Sequence, residues 1–128
     1  MPETALILAP RGRDAALVQT MLAEAGIASE VTASVAALVD CLAGEAGLAV
    51  LTEEAIRTAD TAPLHRWIKN QPAWSDFPFI LLTEGGRAGH NPAGARYLDL
   101  LGNVTFIERP FHPISFVALA RAALRGRR

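Results

Sequence analysis

Cysteine is nearly missing from this sequence: Cys41 is the single one in 128 residues. No internal disulfide can staple the chain, and one thiol fits a reducing compartment. An excess of charge of either sign is also missing. Lys and Arg number 12 against 13 Asp and Glu, a formal net charge of −1. Nucleic-acid binders carry a basic excess, so no nucleic-acid partner is expected. No apolar run approaches the roughly 20 residues that a membrane-spanning helix needs. The opening "MPETALILAP" has no basic segment ahead of its apolar run, so a signal peptide is not expected either. These absences make a cytoplasmic location without membrane contact the expectation. The three histidines, His65, His90 and His112, lie in separate segments without ligand spacing, which gives no metal site. The serines sit in turn or capping contexts, no G-x-S-x-G elbow occurs, and no catalytic residue can be named.

What is present is an ordinary globular composition, 51% hydrophobic and 20% charged, of a size that builds one domain around one sheet. Periodicity and punctuation alternate regularly along it. "TALILA" (4–9) has the length and apolar continuity of a buried strand. Asp14 can cap a helix whose apolar positions are Leu17, Val18, Met21, Leu22 and Ala25, and Gly26 follows where a left-handed terminator belongs. A weaker strand (28–33) leads to Ser34, the expected cap of "VAALVDCLA", in which Cys41 reads as a core filler. Strand "LAVLT" (48–52), helix "APLHRWIKN" (62–70) and strand "FPFILLT" (77–83) come next. Trp67 and Trp74, with Phe77 and Phe79, should pack that helix against the sheet. Asn91 and Pro92 open a helix that closes at Gly102. Strand "VTFIE" (104–108) and a helix from about 113 to 124 complete the pattern. Five apolar strands alternating with five helices predict an α/β fold: a flavodoxin-like, doubly wound five-stranded parallel sheet of order 2-1-3-4-5. The domain spans 1–128 with its core in 4–124. The basic end "RAALRGRR" (121–128) is a candidate linker to an effector or kinase region.

In such a sheet, ligands and chemistry gather at the carboxyl edge of the strands. The residues there are 9–14, 52–55, 83–90 and 109–112. With that edge assembled, the chain resembles the receiver domain of two-component response regulators over nearly its whole length. "FPFILLT" ends on Thr83, where receivers carry a switch hydroxyl. "FIERPF" places Arg109-Pro110-Phe111 where receivers carry Lys-Pro-Phe, with the peptide bond before proline cis. The resemblance implies a phosphoacceptor aspartate ending the third strand and Mg²⁺ held by it and by an acidic pair after the first strand. This sequence departs from that pattern. The acidic pair falls on Ala9 and Pro10, the phosphoacceptor position on Thr52, followed by Glu53 and Glu54, and the lysine position on Arg109. With Arg11, Arg13 and Arg87 in the neighbouring loops, the local field inverts from acidic to basic. Mg²⁺ at the usual receiver site and aspartyl phosphorylation are therefore not expected. The resemblance is to a degenerate receiver, a pseudo-receiver.

Three readings of Thr52-Glu53-Glu54 remain open at this point: a helix cap with two acids in the first turn, a Glu53–Arg109 pair that imitates the phosphorylated state, and a Thr52 phosphoacceptor. The leading function is a signalling module that acts through protein contacts, either with a kinase or effector in the same chain or as a homodimer. The resemblance gives the dimer face as the fourth helix, fifth strand and fifth helix: Arg96, Tyr97, Asp99, Leu100, Phe116, Leu119 and Arg121. The alternative is a small-anion or nucleotide site in which Arg11, Arg13 and Arg87 meet the ligand.

Overall fold

The structure, a computed structural model, describes residues 4–9, 13–42, 44, 46–57, 60–71, 77–83, 92–108 and 112–127. The strands are β1 (Thr4–Leu8), β2 (Ser29–Val31), β3 (Ala46–Thr52), β4 (Phe79–Thr83) and β5 (Val104–Glu108). The helices are α1 (Asp14–Glu24), α2 (Val35–Leu42), α3 (Glu53–Arg57), α4 (Ala62–Asn70), α5 (Pro92–Leu101) and α6 (Pro113–Arg127). The strands pair in parallel in the order β2-β1-β3-β4-β5, the expected doubly wound sheet.

Burial follows from that order. Every residue of β3 and β4 is buried, because each lies inside the sheet and is covered on both faces, as unbroken apolar runs demand. On one face, Leu38 of α2, Ile56 of α3, Leu64 of α4 and Leu101 of α5 pack against Ala49 and Leu51. On the other, Val18 and Leu22 of α1 and Phe116 and Ala120 of α6 pack against Val50 and Ile80. Trp67 meets Phe77 edge to face at 5.5 Å between ring centres, and Phe77 meets Phe79 at 5.3 Å, so this aromatic chain ties α4 to β4 as expected. Trp74 lies outside the described residues.

Several local expectations hold at the atomic level. Ser34 Oγ accepts the Ala37 N–H at 3.1 Å and caps α2. Gly26 and Gly102, after the ends of α1 and α5, have φ of 79° and 76°, the left-handed region that other residues enter only with strain. Others need correction. Six helices are described rather than five, since α3 starts where β3 stops; five residues are too few to show helical periodicity in the sequence. Asp14 is the first residue of α1 rather than its cap. Arg13 holds the cap position without a side-chain cap bond. The second strand shrinks to three residues, Ser29–Val31, at the edge of the sheet beside β1. The last helix runs on past 124 to Arg127.

Cys41 sits half-buried at the margin of the α2 core. Its thiol donates to Glu30 Oε2 at 3.5 Å. Burial first, then that bond and the charges of Glu30 and Asp40, push its pKa up. A raised thiol pKa keeps the reactive thiolate scarce. Cys41 should therefore react with a disulfide reagent at neutral pH more slowly than a free thiol, and Glu30→Gln should speed it; equal rates in both proteins would remove Glu30 from the account.

Candidate functional site

The parallel register brings the strand ends together at one edge. Leu8 lies beside Leu51, Thr52 beside Leu82, and Thr83 beside Glu108. Ala9, the residue after β1, is buried and has only a methyl group to offer. Thr52 ends β3 with 1% of its surface exposed. The chain turns directly from it into α3, and Thr52 Oγ1 accepts the Ala55 N–H at 3.3 Å. Glu53 and Glu54 fill the first turn of α3 and Arg57 the last, the charge order that complements the helix dipole. The geometry is that of a cap: a threonine hydroxyl on a free backbone donor, followed by two acids. It uses a lone pair of the one oxygen that β3 offers at this edge.

Thr83 closes β4 next to it. It is 4% exposed, and Oγ1 has no hydrogen-bond partner among the described residues. A buried hydroxyl without a partner is unfavourable by about 1–3 kcal/mol on mutational scales. Thr83 stands at the position where the resemblance to receivers implies a switch hydroxyl.

The remaining expected residues divide into three groups. Arg13 is exposed at the start of α1. Pro10, Arg11, Arg87, Arg109 and Pro110 lie outside the described residues, as does the expected Glu53–Arg109 pair. The candidate dimer face, which α5, β5 and α6 now carry, needs correction. Tyr97 is 5% exposed and Phe116 0%, and they belong to cores on opposite sides of the sheet. The reason is helical spacing. Tyr97 aligns with Leu101, and Phe116 with Ala120 and Leu124, so each row turns toward the sheet. Leu100 and Leu119 are half-buried against the same two cores. Arg121 is exposed, and its Nη2 donates to Ala25 O at 3.1 Å, which draws it toward α1. Asp99 is exposed, beside Leu98 at 48% exposure. The side chain of Arg96 lies outside the described ones.

One feature of the surface escaped sequence reasoning. A groove of about 370 Å³ runs between α1 and α6, lined by Met21, Ala25, Pro113, Ile114, Val117 and Arg121 among others. Ile114 beside it is 73% exposed. The signal was available: Ile114 is two residues before Phe116 and therefore falls well off the buried row of α6.

No protein-family model matches this sequence, and no curated protein does. Solved structures do match. A response regulator receiver domain protein (CheY-like) from Methanospirillum hungatei JF-1 superposes with a TM-score of 0.76 at 16% identity, over 99% of this chain and 97% of that one. The signal receiver domain of a signal transduction histidine kinase from Syntrophus aciditrophicus gives 0.75 at 22% identity, over 97% and 91%. The signal receiver domain of an HD domain-containing protein from Pseudomonas fluorescens Pf-5 gives 0.79 at 15% identity, over 98% and 89%. The fold is that of response-regulator receiver domains. At such identities the likeness concerns the fold.

Proposed function

We propose that this chain is a pseudo-receiver: a signalling module of the two-component type that works through protein contacts without aspartyl phosphorylation. The observation that carries the reading is the end of β3. Where a receiver fold would present its phosphoacceptor carboxylate, the buried Thr52 hydroxyl is engaged on the Ala55 N–H. The donor set does not fit the family's metal either. Mg²⁺ favours octahedral oxygen ligation with carboxylates among its ligands, and Ala9 and Pro10 bring none. Glu53 and Glu54 stand one and two residues beyond the usual position, in the first turn of α3. No step of phosphoryl chemistry is assigned to this edge, and the domain itself is taken as non-enzymatic.

A protein-contact role is supported by the exposed Ile114, by the apolar groove beside it and by the exposed Leu98 on α5. Among the described residues, no helix is long and apolar enough to cross a membrane. The reading takes the module as cytoplasmic, joined to a kinase or effector partner or paired with a second copy. That one of the similar structures is the receiver part of a histidine kinase supports the kinase connection.

Titration calorimetry with MgCl₂ tests the metal half of the reading. The expected result is no saturable heat up to millimolar concentrations. Stoichiometric binding that Glu53→Gln abolishes would show that the edge rebuilds a metal site from the displaced glutamates, and would overturn it.

A further inference from the structure

We propose that the groove between α1 and α6 docks a second copy of this chain, in a two-fold pair that lays α1 of each copy on α6 of the other. The pairing names a partner for the protein-contact reading above and rests on that reading. Four large hydrophobic side chains are exposed among the described residues, and two of them belong to these helices: Leu17 on α1, 54% exposed, and Ile114 on α6, 73% exposed. Met21 and Val117 line the groove between them. Leu17 is four residues before Met21 and Ile114 three before Val117, so each exposed side chain continues the groove-lining row of its own helix.

The two helices run in the same direction. Each follows a strand of one parallel sheet, β1 or β5, and so starts at the carboxyl edge. Arg121 Nη2 donates to Ala25 O at 3.1 Å, which sets the C-terminal end of α1 level with Arg121. Leu17 and Ile114 therefore share the end of the groove nearer the carboxyl edge, and Glu24 and Arg121 share the other end. Both of these charged residues are exposed. The bond to Ala25 takes one of the five guanidinium N–H donors, and the others can meet a carboxylate.

This order is self-complementary. A two-fold axis along the groove lays α1 of one copy over α6 of the other at the same level. Leu17 then faces Ile114 of the second copy, and Glu24 faces Arg121 of the second copy. The apolar contact and the ion pair each occur twice. A turned-around pairing would set the apolar end against the charged end. A groove with one acid and one base at the same level matches itself better than it matches a partner of a single charge sign. The formal net charge of −1 gives two copies little mutual repulsion.

Sedimentation velocity of the intact chain, from micromolar to millimolar concentration, should show a monomer–dimer equilibrium. Ile114→Glu should raise the dimer dissociation constant about tenfold or more, the loss of a central apolar contact made twice. Glu24→Arg and Arg121→Glu should each weaken the dimer about fivefold by opposing like charges, and the double variant should recover the wild-type constant to within about twofold. Leu98→Glu, on the exposed side of α5, should leave the constant unchanged. Urea unfolding checks that each variant is folded. A chain that stays monomeric at millimolar concentration overturns the proposal and leaves the groove to a foreign helix. So does a dimer that survives Ile114→Glu, that Leu98→Glu breaks, or that the double charge swap fails to restore. None of these outcomes touches the absence of phosphorylation, which Mg²⁺ and a phosphodonor test separately.

Discussion

Phe116→Ala should lower the unfolding free energy by about 3–5 kcal/mol, the cost of emptying an aromatic site in a closed core. Phe116 has 0% of its surface exposed and packs on the sheet face that α1 and α6 cover, against Val18, Leu22, Val50 and Ile80 among others. The removed ring leaves a void under α6 that its close-packed neighbours can fill only in part. Domains of this size hold a total of about 5–15 kcal/mol, so the variant should sit near the edge of folding. In chemical denaturation the midpoint should fall while the slope stays constant. Ile114→Ala, two residues earlier and 73% exposed, should move stability by no more than about 0.5 kcal/mol. A Phe116→Ala protein with normal stability but weakened self-association would return Phe116 to the surface role that the sequence suggests.

Thr83→Val should stabilise the protein, by about 1 kcal/mol or more. Valine keeps the shape and β-propensity of threonine at the end of β4 and removes a buried hydroxyl that has no partner among the described residues. Losing such a group removes a desolvation penalty without breaking a bond. Natural proteins rarely sit at their stability optimum, so the sign of the change reports on the bonding of the hydroxyl and not on its use in signalling. Thermal and denaturant unfolding of the variant give the sign directly. A loss of stability would mean that the hydroxyl is bonded.

The fold was legible because its signals are local and mutually consistent. The unbroken apolar runs of β3 and β4 could belong only to strands covered on both faces, and Gly26, Ser34 and Gly102 punctuate their helices where backbone chemistry requires it. The helix α3 was half-legible: the cap reading of Thr52-Glu53-Glu54 anticipated its start, yet five residues show too little periodicity to be counted as an element. Tyr97 and Phe116 were misplaced for a different reason. The resemblance named a face by its elements, but on each helix the 3.6-residue repeat decides which side chains that face exposes, and these two point inward. At the site, the sequence identified Thr52, Thr83 and Glu108 as strand ends and ran β1 one residue too far, to Ala9. It could not choose among a cap, an ion pair and an acceptor for Thr52-Glu53-Glu54, because that choice rests on the path of the chain after β3. The bond from the Ala55 N–H to Thr52 Oγ1 favours the cap.

The central claim is that this receiver fold no longer accepts a phosphoryl group. Incubation of the intact chain with a small-molecule phosphodonor and Mg²⁺, followed by intact-mass measurement, tests it most directly. The account predicts an unchanged mass. A stable phosphoryl adduct mapping to Thr52, Glu53 or Glu54 would contradict it.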